Sequence, residues 1–152
     1  MHDFGRVECG DLPFSSKREW LVTNGIGGYA MGTVAGVLTR RYHGLLIAAL
    51  QAPVGRTLLV TKLDETVTYG GDRYCLYADR RAGGKVVPRG FLHLERFFLE
   101  GTVPVWHYAL GDALLEKRVW MQQGANTTYA WYRLARASAL LHLSLRAAVN
   151  HR

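Results

Sequence analysis

The densest run of residues able to do chemistry lies near the front of the chain. It is Glu19-Trp20-Leu21-Val22-Thr23-Asn24-Gly25-Ile26-Gly27-Gly28-Tyr29-Ala30, in which Gly25, Gly27 and Ala30 fit G-x-G-x-x-(G/A). Such a turn cradles a dinucleotide pyrophosphate when a helix follows and an acidic residue stands ~20 positions on. Here no carboxylate lies between Glu19 and Asp64. Residues 29–39 alternate small with larger side chains, which predicts a strand approached closely by another backbone. The glycines therefore read as a turn joining two strands, and a strand in place of a helix after them removes the nucleotide site. The next candidate is Thr39-Arg40-Arg41-Tyr42-His43-Gly44. Arginine forks and aromatic faces bind anions, and they also bind sugar hydroxyls and ring faces. His43 has the type for a general base. The plainer reading is a strand start with a solvated arginine pair, but taken as a cluster these residues favour a functional role.

Asp64, Glu65, Glu95 and Glu100 are the candidate carboxylates. Hydrolysis of a glycosidic bond takes two carboxyl groups flanking one site. Adjacent Asp64 and Glu65 point to opposite sides of a strand and cannot both serve. Structural acids paired with arginine are the expectation for all four. No G-x-S-x-G, H-E-x-x-H or P-loop is present. His93, His107 and His142 have no metal-ligand spacing and read as ordinary strand residues. Cys9 and Cys75 form no C-x-x-C and read as reduced thiols of a cytoplasmic protein. Asn126-Thr127-Thr128 fits a glycosylation sequon but reads as a turn, since no apolar leader is visible at the N-terminus.

The elements that must position these residues are strands. Leu141, Leu143, Leu145, Ala147 and Val149 alternate with His142, Ser144 and Arg146, as in a half-buried strand. Residues 103–110, 114–121 and 127–134 alternate similarly, with turn signals between them. Residues 103–149 are thus expected to form a four-strand antiparallel meander. Residues 57–69 are β-rich and turn at Gly70-Gly71-Asp72 into 73–78, with Lys62 to Glu65 interrupting the apolar run as a bend. Residues 80–90 read as a loop, and 91–99 as a strand or one face of a short helix, the hairpin-rich surroundings favouring the strand. The expectation is an all-β single domain over residues 1–152, an antiparallel β-sandwich of about ten strands. The final strand runs into the last residues with nothing to cover its edge, which suggests a sandwich incomplete at its C-terminal edge.

Composition narrows the function. With 49% hydrophobic and 20% charged residues, the chain is not a charge-solvated disordered one. The longest purely apolar run, residues 45–50, is far short of the ~20 residues of a membrane helix. The net charge of +7 comes from 15 Arg and 4 Lys against 12 acids, with +1 in residues 1–76 and +6 in residues 77–152. A basic surplus raises nucleic acid as a partner, but these cations are scattered singly along strands and form no stripe. Trp106, Trp120 and Trp131 fall on separate strands, and two on one open face would make a stacking platform for sugars or unstacked bases.

Three blocks carry a resemblance: residues 19–30, Thr39-Arg40-Arg41-Tyr42-His43-Gly44-Leu45-Leu46, and Arg56-Thr57-Leu58-Leu59-Val60-Thr61-Lys62-Leu63-Asp64-Glu65. In order and spacing they resemble the N-terminal domain of bacterial and archaeal type glycogen debranching enzymes. The resemblance implies a large β-sandwich, a supersandwich, set before an (α/α) helical barrel. That barrel carries the amylo-α-1,6-glucosidase activity through a pair of acids, and these acids have no counterpart in this chain. The resemblance therefore implies a non-catalytic, cytoplasmic, carbohydrate-associated domain, with α-glucan and the barrel as partners and no metal or nucleotide cofactor. Trp20, Asn24, Arg40, Arg41, Tyr42, His43 and Asp64 are the motif positions where substrate contacts are expected. The alternative is a basic, aromatic-rich β domain binding single-stranded nucleic acid, with a steep salt dependence.

Overall fold

The computed structural model describes residues 2–150 and contains thirteen strands among them. The chain opens with β1 (Asp3–Gly5) and two short helical turns, α1 (Arg6–Gly10) and α2 (Leu12–Ser15). The strands β2 (Glu19–Thr23), β3 (Tyr29–Thr33), β4 (Gly44–Gln51), β5 (Val54–Tyr69) and β6 (Asp72–Cys75) follow. A small hairpin, β7 (Ala78–Arg80) and β8 (Val86–Arg89), leads through a 3-10 turn (Gly90–His93) to β9 (Leu94–Glu100). The chain continues as β10 (Val103–Leu110), β11 (Ala113–Met121), β12 (Thr128–Arg136) and β13 (His142–Val149).

Two antiparallel sheets pack face to face. One has the order β1-β9-β10-β11-β12, and the other β13-β5-β4-β3-β2 with β6 also on β5. Alternation builds the interior, because each strand presents every second side chain to it. Trp20 of β2 meets Trp106 of β10 edge to face, with ring centres 5.5 Å apart, and Trp106 meets Phe97 of β9 at 5.2 Å. The buried Trp106 indole is satisfied by donating to the carbonyl of Val34 at 3.1 Å. One ionic cluster also bridges the sheets. Glu65 of β5 lies 2.6 Å from Lys117 of β11 and accepts from the Tyr132 hydroxyl of β12 at 2.6 Å. Burial, and then the neighbouring carboxylate, push the Tyr132 phenol far above its ordinary range, so it stays a donor.

The all-β sandwich agrees with the alternation, and several local expectations are corrected. The four-strand meander is three strands, β10 to β12, with β9 ahead of them; β13 instead crosses to β5, where Leu143 pairs with Val67 and Ala147 with Leu63. Tyr69 and Asp112 hold this crossing by hydrogen-bonding Ser138. The strand expected over residues 29–39 stops at Thr33, because the chain turns at Val34 and Ala35 and passes Gly36. The stretch from Lys62 to Glu65 stays within β5, which pairs with β4 up to Val60 and, along its other edge, with β13 from Val60 to Thr68, with a register shift between Val60 and Lys62. Residues 80–90 are not all loop, since β7 pairs with β8, and the first part of 91–99 is the 3-10 turn. Both cysteines are free, Cys9 buried and Cys75 half-buried.

Candidate functional site

The period of two in β2 sends Trp20 and Val22 into the core and Glu19, Leu21 and Thr23 to the outer face. Pairing with β3 sets Thr33, Met31 and Tyr29 beside them. The turn between the strands folds over this face because Gly27 has φ +101°, and a Cβ there would stand 2.4 Å from the carbonyl oxygen of Pro53. The result is an open cleft of about 720 Å³, lined by Leu21, Gly27, Tyr29, Met31, Tyr42 and Arg56 among others. That is ample for a small ligand, for which ~300–1,000 Å³ is usual.

The cleft's polar groups are few and fixed. The Tyr29 hydroxyl donates to the carbonyl of Tyr42 at 3.2 Å. Burial pushes the Tyr29 phenol up against the opposing charge of Arg56. The Arg56 guanidinium stands 5.8 Å from the Tyr29 ring centre, and its Nε donates to the carbonyl of Gly27 at 2.9 Å. Among the described residues no carboxylate pairs with Arg56 and none lines the cleft.

The residues singled out in the sequence fall into separate places. Tyr42 is 68% exposed and forms a wall of the cleft. Arg40 and His43 flank it and serve the loop that carries it. His43 is buried, and its Nδ1 accepts from the backbone N–H groups of Thr39 (3.1 Å) and Arg40 (3.2 Å). The proton therefore sits on Nε2, which donates to Glu19 at 3.1 Å. With both nitrogens engaged, His43 is an anchor and is not poised as a general base. Glu19 also takes the Arg40 guanidinium at 2.8 Å, while Arg41 is exposed.

Asn24 is fully buried and holds the turn from inside. Its Oδ1 accepts from the N–H groups of Ile26 (3.0 Å) and Gly28 (2.9 Å). Its Nδ2 donates to Ala125 and Asn126 of the β11–β12 connection, each at 3.0 Å. Trp20 is in the core, 8% exposed, with its ring edge to face against Trp106. Asp64 is apart from the cleft, on the opposite side of β5 from Glu65, between Lys62 (2.8 Å) and Arg146 (3.2 Å). Glu100 pairs with Arg118, and Glu95 is exposed. A strand follows the glycine turn, which removes the dinucleotide site. Among the described residues no three His, Cys, Asp or Glu side chains gather to hold a metal ion, and no helix is long and apolar enough to cross a membrane.

A family model, glycogen debranching enzyme N terminal, matches residues 18–152. The chain belongs to that family. No curated protein and no solved structure matches it significantly. The matched region contains the whole cleft, and the three blocks of the debranching-enzyme resemblance converge there. Leu21 and Tyr29 come from the first, Tyr42 from the second and Arg56 from the third. Tyr29 and Arg56 were within those blocks without being singled out. The signal that could have found them is the outward parity of β2 and β3, which aligns position 29 with position 23.

Proposed function

We propose that the chain is the non-catalytic, carbohydrate-associated N-terminal domain of a glycogen debranching enzyme, and that its outer cleft takes a segment of α-glucan. It thereby supports hydrolysis of α-1,6-glucosidic branch stubs by a helical barrel that carries the catalytic acids. One observation carries this reading: Tyr29, Tyr42 and Arg56 line a cleft that no described carboxylate enters. Aromatic rings pack against the apolar faces of sugars, and a guanidinium presents a fork of donors to their hydroxyls. A pair of carboxyl groups would be needed for hydrolysis. Two free cysteines suit a cytoplasmic setting for this work.

Isothermal titration of the chain with maltoheptaose tests it. Binding is expected to weaken at least ~10-fold in Tyr42→Ala and Arg56→Met, each having lost an anchor worth ~1.4 kcal/mol or more. Incubation with a branch-stub limit dextrin is expected to release no glucose. Absence of binding at millimolar sugar, or glucose release by the pure chain, overturns the reading. So does tight single-stranded DNA binding that collapses with salt.

A further inference from the structure

The outer face of the other sheet holds a second set of aromatic residues that the cleft does not use. Tyr132 and Ala130 of β12 pack inward, so Tyr129, Trp131 and Arg133 point outward. Cross-strand pairing places Trp120 beside Tyr129, Arg118 beside Trp131 and Glu116 beside Arg133. The rings of Trp120 and Tyr129 stack at 5.5 Å and 24°, and the Tyr129 hydroxyl donates to Gln122 at 2.9 Å. The Arg118 guanidinium lies 5.8 Å from the Trp131 ring centre. Tyr129 is 42% and Trp131 38% exposed, so two rings are presented to solvent while their neighbours fix them.

The charges around these rings cancel. Glu116 is buried although it lies on an outer face, because His107 (2.8 Å), Arg118 (2.9 Å) and Arg133 (3.7 Å) surround it. Arg118 also pairs with Glu100, and Arg96 with Asp3 at 2.7 Å. A surface meant for a phosphate backbone leaves its cations unpaired. This one pairs them and exposes aromatic rings, which suits an uncharged polyhydroxyl chain. Tyr129 and Trp131 are two positions apart on one strand, about 7 Å along it. Successive pyranose rings of a chain can span that distance.

We infer that Tyr129 and Trp131, braced by Trp120 and Arg118, form a second α-glucan platform on the face opposite the cleft. The ligand class rests on the proposed function above; the site does not share a residue with the cleft. With a site on each face, the domain would hold two outer chains of one branched polymer, and linkage would raise retention on glycogen over that on a short oligosaccharide.

The test reads the platform separately from the cleft. Of the four tryptophans, Trp20 and Trp106 are in the core and Trp120 and Trp131 on the platform, and the cleft has none. In 1H–15N spectra of the Tyr42→Ala/Arg56→Met variant, maltoheptaose is expected to shift the Trp120 and Trp131 indole signals saturably and leave those of Trp20 and Trp106 in place. The shift should persist in 0.5 M NaCl and disappear in Trp131→Ala. Retention of the chain on glycogen should fall at least ~10-fold in Trp131→Ala with the cleft intact. If the indole signals stay still while the cleft binds, the platform is overturned and the proposed function stands. If they shift while cleft variants bind like the parent chain, the platform stands and the cleft reading fails. Indole shifts with a single-stranded oligonucleotide and not with maltoheptaose overturn the inference.

Discussion

The outer faces of the two sheets solve opposite problems with similar residues. On the six-stranded sheet, a glycine turn and the loop bearing Tyr42 rise above β2 and β3, and Arg56 is left without a carboxylate among the described residues. On the five-stranded sheet, strands β9 to β12 lie side by side, and Arg96, Arg118 and Arg133 are each set against an acid. Yet residues 77–152 carry +6 and residues 1–76 only +1. The three arginines on this outer face, all in the half of the sequence with the larger net charge, are spent internally, while the cleft takes its guanidinium, Arg56, from the nearly neutral half. Net charge per segment is thus a poor guide to where a charged ligand contact sits; pairing register decides it.

If the two faces are independent surfaces on one shared interior, damage to the interior must reach both. Lys117→Met leaves Glu65 buried without its cation and is expected to cost about 3–5 kcal/mol. Urea denaturation should show this as a shift of one cooperative transition, and two separate transitions would break the picture of a common core. Asn24→Ala is the next largest. It orphans the N–H groups of Ile26 and Gly28 and removes the donor to residues 125 and 126, at about 2–4 kcal/mol. Maltoheptaose affinity at the cleft should fall with it while the Trp120 and Trp131 indole signals keep their parent positions. Movement of those signals would mean the faces are coupled.

The smallest effect belongs to Glu116 and sharpens the account of the flat face. Burial pulls its pKa up, but hydrogen bonds from Arg118 and His107 and the nearby guanidinium charges outweigh this and hold it below the ordinary 4.5. A carboxylate depressed in the folded state stabilises it above pH 4.5, and that contribution is lost as the pH falls through the folded value. Glu116→Gln should therefore be less stable than the parent by about 1–2 kcal/mol at neutral pH, with the gap closing below pH 4.5. Melting temperatures across pH 3 to 7 check this; a gap that does not change with pH would contradict it.

Alternation made the hairpins legible, because a period of two fixes which side chains face the core whatever the partner strand is. It could not say which strand lies alongside. Leu141 and Leu143 are packed inward whether β13 continues a meander or crosses to β5. The decision rests on the contacts of Ser138 with Tyr69 and Asp112, which are far apart in sequence. The site was legible as residue types and not as roles. Trp20, Asn24 and His43 have the chemistry of ligand contacts, and the structure uses them as core, turn anchor and loop anchor. Tyr29 of β3 and Arg56 of β5 look like ordinary strand residues until the register brings them together over β4.

The pairing of β5 with the distant β13 has a consequence for synthesis. Asp64 and its partner Arg146 are 82 residues apart. At ~5–20 residues per second, roughly 4–16 s of translation separate the emergence of that edge from the arrival of the strand that closes it. During that interval the open edge of β5 is a template for pairing with other nascent chains. Slower translation lengthens that exposure and, at equal yield, is expected to raise the share of the chain found in inclusion bodies.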